Sequence, residues 1–136
     1  MQFTRKGDYA LRAMSYMAES KSQRPQTIDQ IAKNSRVPRH FLAKILKDLT
    51  QARLLVAVKG AKGGYVLSRR PSQISLLQVM EAAVGPMALN ICLEGDDRCP
   101  ETPTCAYFPI WQKASRAFRG VFDRTMLSSV RSQKHS

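Results

Sequence analysis

Three cysteines stand close together in the second half of the sequence, at Cys92, Cys99 and Cys105. Six and five residues separate them, which differs from the two-residue spacing of a zinc ribbon. Thiolates are soft ligands that favour iron–sulfur clusters, zinc or copper(I). An odd number of cysteines without a secretory signal fits a disulfide framework poorly. The three cysteines are therefore candidate metal ligands; a metal-free thiol–disulfide switch and three incidental cysteines are the alternatives.

A second set of candidate residues is basic. Lys and Arg number 22 against 10 Asp and Glu, which gives a net charge of +12. Residues 1–70 hold 15 of the basic and 4 of the acidic side chains. Such an excess suits a polyanion, because each phosphate that is neutralised releases condensed counterions. The alternative is a solvated face that happens to be basic.

The elements predicted around these basic residues have the order of a winged helix-turn-helix. Thr27 and Gln30 have the spacing of a capping box that opens a short helix. Pro38 suits the first turn of a second helix. Residues 54–58 and 65–67 are β-prone runs around a glycine-rich turn, which predicts a hairpin. The second helix has an apolar face that consists of Phe41, Leu42, Ile45, Leu46 and Leu49.

The other face of this second helix and the tip of the hairpin carry residue types suited to double-stranded DNA. Residues at the N-terminal end of a recognition helix meet base edges, where Arg pairs bidentately with guanine. Glycine lets a backbone approach phosphates, and lysine neutralises their charge. An ordinary amphipathic helix with a solvated basic face is the alternative. The candidate DNA-binding residues are Arg39, His40, Lys44, Lys47, Lys59, Lys62 and Gly63.

Helices are predicted on both sides of this unit. An amphipathic pattern over residues 6–20 predicts a helix that precedes the helix-turn-helix. Ser75 can cap a helix that follows the hairpin, and Gly85 and Pro86 end that helix. A long last helix carries a heptad-like seam of Tyr107, Trp111, Ala114, Phe118, Val121 and Thr125. We expect this seam to pair with a second copy in a two-fold dimer, which suits the half-sites of palindromic DNA. Packing on the chain's own core is the alternative.

The expected fold class is mainly α: a winged helix-turn-helix with a small β-hairpin wing and a long C-terminal dimerisation helix. We expect four parts along the chain. Residues 1–85 form the DNA-binding domain and residues 86–106 a cysteine-rich loop. Residues 107–128 form the dimerisation helix and residues 129–136 a flexible tail.

Several classes of protein are excluded. The longest apolar run, from Leu54 to Val58, is far shorter than the ~20 residues of a membrane span. Charged residues interrupt any apolar core of an N-terminal signal. We therefore expect a cytoplasmic protein without a membrane partner. No phosphate-binding glycine loop occurs and there are only 2 histidines, so we expect no enzyme.

Together these features resemble the Rrf2 family of bacterial winged-helix transcription regulators, which has IscR-like, NsrR-like and RirA-like branches. The matching motifs are FTRKGDYA at residues 3–10, VKGAKGGY at 58–65, ISL at 74–76 and the three-cysteine loop before the long helix. The resemblance implies a homodimeric regulator, often a repressor, that binds palindromic DNA. It also implies an iron–sulfur cluster on Cys92, Cys99 and Cys105 that senses nitric oxide, redox state or iron.

The resemblance is closest to the NsrR-like three-cysteine branch. IscR-like members have a histidine three residues after the last cysteine, where this chain has Phe108. NsrR-like members can use an aspartate from the first helix of the partner subunit, and Asp8 stands at the matching position. The resemblance thus implies a [4Fe–4S] rather than a [2Fe–2S] cluster, with Asp8 of the partner subunit as fourth ligand. For Asp8, the alternative is an exposed acid that the helix dipole favours near a helix start. For the signal, RirA-like iron sensing is the alternative. For the whole protein, the alternatives are a DNA-binding regulator with a metal-free thiol or zinc switch, and an iron–sulfur scaffold or carrier with a merely basic surface.

Overall fold

A computed structural model describes residues 5–20, 24–86, 93 and 100–130. Within these residues the elements are α1 (Arg5–Glu19), α2 (Ile28–Ser35), α3 (Arg39–Gln51), β1 (Leu55–Val58), β2 (Gly64–Leu67), α4 (Leu76–Val84) and α5 (Phe108–Arg124). Short 3-10 turns lie at Pro71–Gln73, Thr102–Thr104 and Leu127–Ser129. The predicted fold class, a mainly helical winged helix-turn-helix with a small hairpin, is confirmed.

Two capping boxes fix where helices begin. The Thr27 hydroxyl accepts a hydrogen bond from the Gln30 N–H (3.2 Å), and the Gln30 side chain accepts one from the Thr27 N–H (2.9 Å). Ser75 and Gln78 form the same reciprocal pair at the start of α4. Pro38 differs from its prediction: it precedes the first turn of α3, because its ψ of 134° is not helical.

The core lies between α1, α2, α3 and α4, and it takes one face from each helix. Phe41 was predicted on the apolar face of α3, but it is 39% exposed. The centroid of its ring lies 5.5 Å from that of Tyr9 and 4.3 Å from that of His40. The helical side chains that are fully inaccessible are Ala10, Ala13, Met14, Ile31, Leu42, Ile45, Leu46, Leu49 and Val79.

The hairpin is an antiparallel pair in which Leu55 faces Leu67 and Val58 faces Gly64. A third short segment joins it, because Gln26 and Tyr65 exchange backbone hydrogen bonds of 3.0 and 2.8 Å. This pairing was not predicted from the sequence. This pairing attaches the wing to the segment that enters α2.

The chain returns to the core after α5. The Thr125 carbonyl accepts from the Leu76 N–H, the Leu127 N–H donates to the Ile74 carbonyl (both 2.9 Å), and Leu127 is 1% exposed. Helix α5 therefore ends at Arg124, whereas the predicted helix extended to residue 128, and Thr125 is extended (φ −97°). Most of the predicted tail, residues 131–136, lies outside the described residues.

Candidate nucleic-acid interface and cluster ligands

The turn between α2 and α3 sets the position of the recognition helix. Arg36 adopts a left-handed conformation (φ 58°) and its N–H donates to the Ala32 carbonyl. The Val37 N–H bonds to the same carbonyl (3.2 Å), and the Val37 side chain is 2% exposed. The tight turn thus holds the start of α3 against the core. The face of α3 opposite the core remains in solvent.

The exposed face of α3 brings together four of the predicted DNA-binding residues, Arg39, His40, Lys44 and Lys47, all of which are exposed. The Arg39 Nε lies 2.6 Å from an Asp29 carboxylate oxygen. Because both side chains are more than half exposed, this ion pair is weak, and it leaves the other guanidinium N–H groups available. The face can therefore present its cations to a polyanion.

Asp48 connects this face to α1. One carboxylate oxygen lies 2.6 Å from the Lys6 Nζ and the other 3.1 Å from the Lys44 Nζ. Burial raises the pKa of Asp48, but hydrogen bonds and charge from Lys6 and Lys44 outweigh it and hold that pKa below its usual value. Lys44 is thus held by one acid along the side of α3.

The tip of the hairpin exposes Lys59 and Lys62, as predicted. A Cβ on Gly63 would lie 2.2 Å from the Val58 carbonyl oxygen. The turn itself therefore requires glycine at residue 63, whether or not the backbone there approaches DNA. Both lysines lie in the turn that joins the paired strands β1 and β2.

Four exposed arginines near this surface were missed by the sequence reasoning: Arg36, Arg53, Arg69 and Arg70. The signal that could have found them was available. The basic excess of residues 1–70 is larger than the predicted contacts account for, and these arginines flank α3 and follow the wing.

The structure describes two of the four predicted cluster ligands. Cys105 is a free, half-buried thiol that follows the Thr102–Thr104 turn. Asp8 lies in the first turn of α1, about half exposed, and pairs with Arg12 at 3.0 Å. Cys92 and Cys99 lie outside the described residues, within which no three His, Cys, Asp or Glu side chains come together. Cys105 and Asp8 are both accessible to a ligand, and a set of three thiolates and one carboxylate has the chemistry of an iron site.

Helix α5 has two apolar sides. Phe118 and Phe122 pack against α4 and α1 in a cluster with Leu77 and Met80. The predicted seam is therefore wrong at Phe118, which contacts the chain's own core, and at Thr125, which lies beyond the end of α5. A second side is exposed and repeats at heptad spacing; it consists of Tyr107, Ile110, Trp111, Ala114, Ala117 and Val121.

A helix-turn-helix followed by a hairpin wing is the architecture of a class of DNA-binding transcription regulators. The Rrf2 family model, described as "Iron-dependent Transcriptional regulator", matches residues 3–133. The chain belongs to the Rrf2 family.

Relatives in sequence agree with this membership, and solved structures share the fold. An HTH-type transcriptional regulator of Mycobacterium tuberculosis is 32% identical over 130 residues, 96% of this chain and 81% of that protein. CymR of Bacillus subtilis is 26% identical over 132 residues, 97% of this chain and 91% of CymR. A transcriptional regulator from Listeria innocua has a TM-score of 0.76 at 28% identity, covering 98% and 91% of the two chains. For T. potens IscR the TM-score is 0.72 at 24% identity, covering 94% and 84%.

These relatives are described as transcription regulators rather than enzymes, which agrees with the expected non-enzymatic role. In the described part of the chain, no helix combines the length and apolar character that a membrane crossing requires.

Proposed function

We propose that the protein is a homodimeric repressor that binds palindromic DNA through α3 and the wing. The observation that carries this proposal is the exposed basic face of α3 beside a hairpin tip with two exposed lysines. An α-helix fits the major groove, and lysines at a wing tip suit the phosphates beside it.

The proposal is tested by selecting duplexes that bind the protein from a randomised library and measuring affinity by fluorescence anisotropy. We expect a palindromic consensus and binding that weakens steeply with salt. Equal affinity for the selected duplex and its scrambled version would contradict sequence-specific regulation. No measurable binding to any duplex at low salt would contradict the proposal altogether.

The dimer is supported by the exposed side of α5, where Tyr107, Ile110 and Val121 are 67, 61 and 58% exposed. Large apolar side chains in one stripe mark an interaction surface on a soluble domain. The heptad spacing of the stripe suits a second helix of the same kind. Pairing two copies through α5 would give the two-fold symmetry that a palindrome requires.

For sensing, we propose an iron–sulfur cluster held by Cys92, Cys99, Cys105 and Asp8 of the partner subunit, with [4Fe–4S] favoured over [2Fe–2S]. The family description as iron-dependent and the accessible Cys105 and Asp8 support it. When bound, such a group supplies a site open to nitric oxide or oxygen, because carboxylate is a harder and weaker ligand for iron than thiolate. The chain's own part is to hold Asp8 on α1, which packs against α3.

Helix α1 is the element that would carry a signal to DNA. Asp8 and Lys6 share its first turn, and Lys6 forms the 2.6 Å ion pair with Asp48 on the recognition helix. Release of Asp8 would thus leave α1 free to shift, and with it the position of α3. The cluster can regulate DNA binding in this way only if its binding and DNA binding favour the same arrangement of α1.

Anaerobic purification with iron and sulfide counts tests the cofactor. About four of each per chain would support [4Fe–4S] and direct attention to Asp8, whereas about two would support [2Fe–2S] and weaken the argument for Asp8. A protein that stays colourless after reconstitution would favour the second candidate, a metal-free thiol or zinc switch, which the free thiol of Cys105 supports.

A further inference from the structure

Helices α2 and α3 are each followed by an arginine in the left-handed conformation. After α3, the Arg53 N–H bonds to the Thr50 carbonyl and the Leu54 N–H to the Leu49 carbonyl, both 3.0 Å. This pair of bonds is a Schellman motif, in which the residue after the helix is left-handed. Arg53 takes that conformation at φ 62°. Arg36 takes it after α2 at φ 58°, and the residue after each arginine, Val37 or Leu54, is 2% exposed.

Arginine is an unfavourable choice for both positions. The left-handed region brings the Cβ of an L-residue close to the following carbonyl, so glycine is the residue usually found there. In the described part of the chain, Arg36 and Arg53 are the only residues other than glycine with positive φ. A cation near a helix C-terminus interacts favourably with the helix dipole, but this does not explain why arginine occupies these two positions. An arginine in the last turn of the helix would have the same interaction without a positive φ.

The two arginines lie at opposite ends of the recognition helix. Arg36 comes just before α3 and Arg53 just after it, and the 13 residues of α3 span about 20 Å. The major groove is about 12 Å wide, so the ends of a helix that crosses it reach the phosphates on either side. Both guanidinium groups are exposed, and among the described residues neither forms an ion pair.

We propose that Arg36 and Arg53 bind phosphodiester groups on the two DNA backbones that border the groove occupied by α3. Arginine suits this role because its planar guanidinium binds phosphate oxygens bidentately. The backbone of each arginine is held by the hydrogen bonds of its turn and by the buried residue that follows it. This inference rests on the proposed function, because it assumes that α3 enters the major groove.

The experiment compares Arg36→Gly and Arg53→Gly with wild type in thermal unfolding and in anisotropy titrations with a selected and a scrambled duplex. Glycine relieves the strain, so we expect the melting temperature to stay the same or to rise by about 2–5 °C. Each variant should bind both duplexes about 3–10-fold more weakly near 0.1 M salt. The slope of log K against log salt should become shallower by about 2, one contact per half-site.

Two further variants make the test specific. Arg116→Ala removes the same charge from the polar side of α5, so its salt slope should equal that of wild type. Arg53→Lys keeps the charge without the bidentate geometry and should recover part of the affinity. A melting temperature that rises while affinity and salt slope stay unchanged would overturn the inference and leave the proposed function intact. Wild type that binds no duplex would overturn both.

Discussion

Asp48 shows how one carboxylate can organise a basic surface. It is 13% exposed and accepts from Lys6 and Lys44, whose charges hold its pKa below the usual value. A carboxyl whose pKa is lower in the folded state stabilises the fold above its unfolded pKa of about 3.9, and this stabilisation is lost as pH falls through the folded value. We expect Asp48→Asn to lower the free energy of unfolding at pH 7 by about 1–2 kcal/mol.

Urea unfolding of wild type and Asp48→Asn between pH 3 and pH 7 checks this expectation. The difference in the free energy of unfolding should be constant near neutrality and shrink below pH ~4, as the wild-type carboxyl takes up a proton. Asp29→Asn is the control, because its ion pair with Arg39 is largely exposed and should contribute little. A difference that does not change with pH would contradict a charged pairing of Asp48.

Arg39 and Lys62 should differ in what they contribute to DNA binding. Arg39 lies at the N-terminal end of α3, where base edges are read, and Lys62 lies at the wing tip. We expect Arg39→Ala to reduce discrimination between selected and scrambled duplexes by about 1–3 kcal/mol. Lys62→Ala should weaken binding to both equally and make the salt slope shallower. Equal salt slopes for wild type and Lys62→Ala would exclude a phosphate contact from the wing.

Asp8 has a partner in the single chain, the Arg12 guanidinium at 3.0 Å on the next turn. Because the pair is half exposed, it does not prevent Asp8 from ligating iron in the partner subunit. We expect Asp8→Ala to leave dimerisation intact and to speed loss of visible absorbance under air or nitric oxide. Arg12→Ala, which keeps the carboxylate, is the matched control. Identical decay of Asp8→Ala and wild type would remove Asp8 from the ligand set.

Except at Phe41, sequence periodicity predicted which side chains of α3 face solvent, because burial of one apolar stripe fixes the opposite face. It did not predict the ion pair between Lys6 and Asp48, since no local pattern links residues 42 positions apart. Nor did it show that Arg36 and Arg53 are left-handed, because composition alone usually assigns that conformation to glycine.

At the scale of elements, the wing depends on one close approach of two backbone segments. A Cβ on Gly64 would lie 2.2 Å from the Gln26 carbonyl oxygen, and Gly64 has φ +150°. We expect Gly64→Ala to cost about 2 kcal/mol or more of stability, because backbone atoms must move and the Gln26–Tyr65 pairing weakens.

Gly60→Ala is the matched control for the wing, since Gly60 also has positive φ (+111°) but has open space around its Cβ position. It should cost only the strain of about 1 kcal/mol. Denaturant unfolding measures both variants. Equal losses of stability would show that the contact with Gln26 does not matter.

The elements that local sequence signals define were predicted well. The Thr27 capping box and the hairpin are specified by neighbouring residues, so sequence was sufficient for them. The pairing of Gln26 with Tyr65 and the return of Leu127 to the core depend on contacts between distant segments. The polar stretch before α2 gives no local sign of its pairing with the wing, and residues 125–128 were predicted as the end of the last helix.

For the whole molecule, α5 is the element through which one copy would meet another. Its Phe118 and Phe122 bind it to the chain's own core, while Tyr107, Ile110 and Val121 remain exposed. The predicted seam mixed these two sides, because residues that face the core and residues of the exposed stripe are neighbours on the helix surface. Spacings of three and four residues fit either side. One face of α5 thus packs on the chain's own core, and the adjacent face is free for the proposed dimer.

The exposed side of α5 gives the last prediction. Val121→Glu places a charge within the apolar stripe, so we expect the dimer to dissociate at least 100-fold more readily, equivalent to about 3 kcal/mol. Arg116→Glu is the control, because Arg116 is exposed on the side of the helix that faces away from the stripe. Sedimentation equilibrium measures both. Since a monomer contacts one half-site, Val121→Glu should also lose affinity for the palindrome while keeping its affinity for a single half-site. A Val121→Glu protein that remains a dimer would place the interface elsewhere.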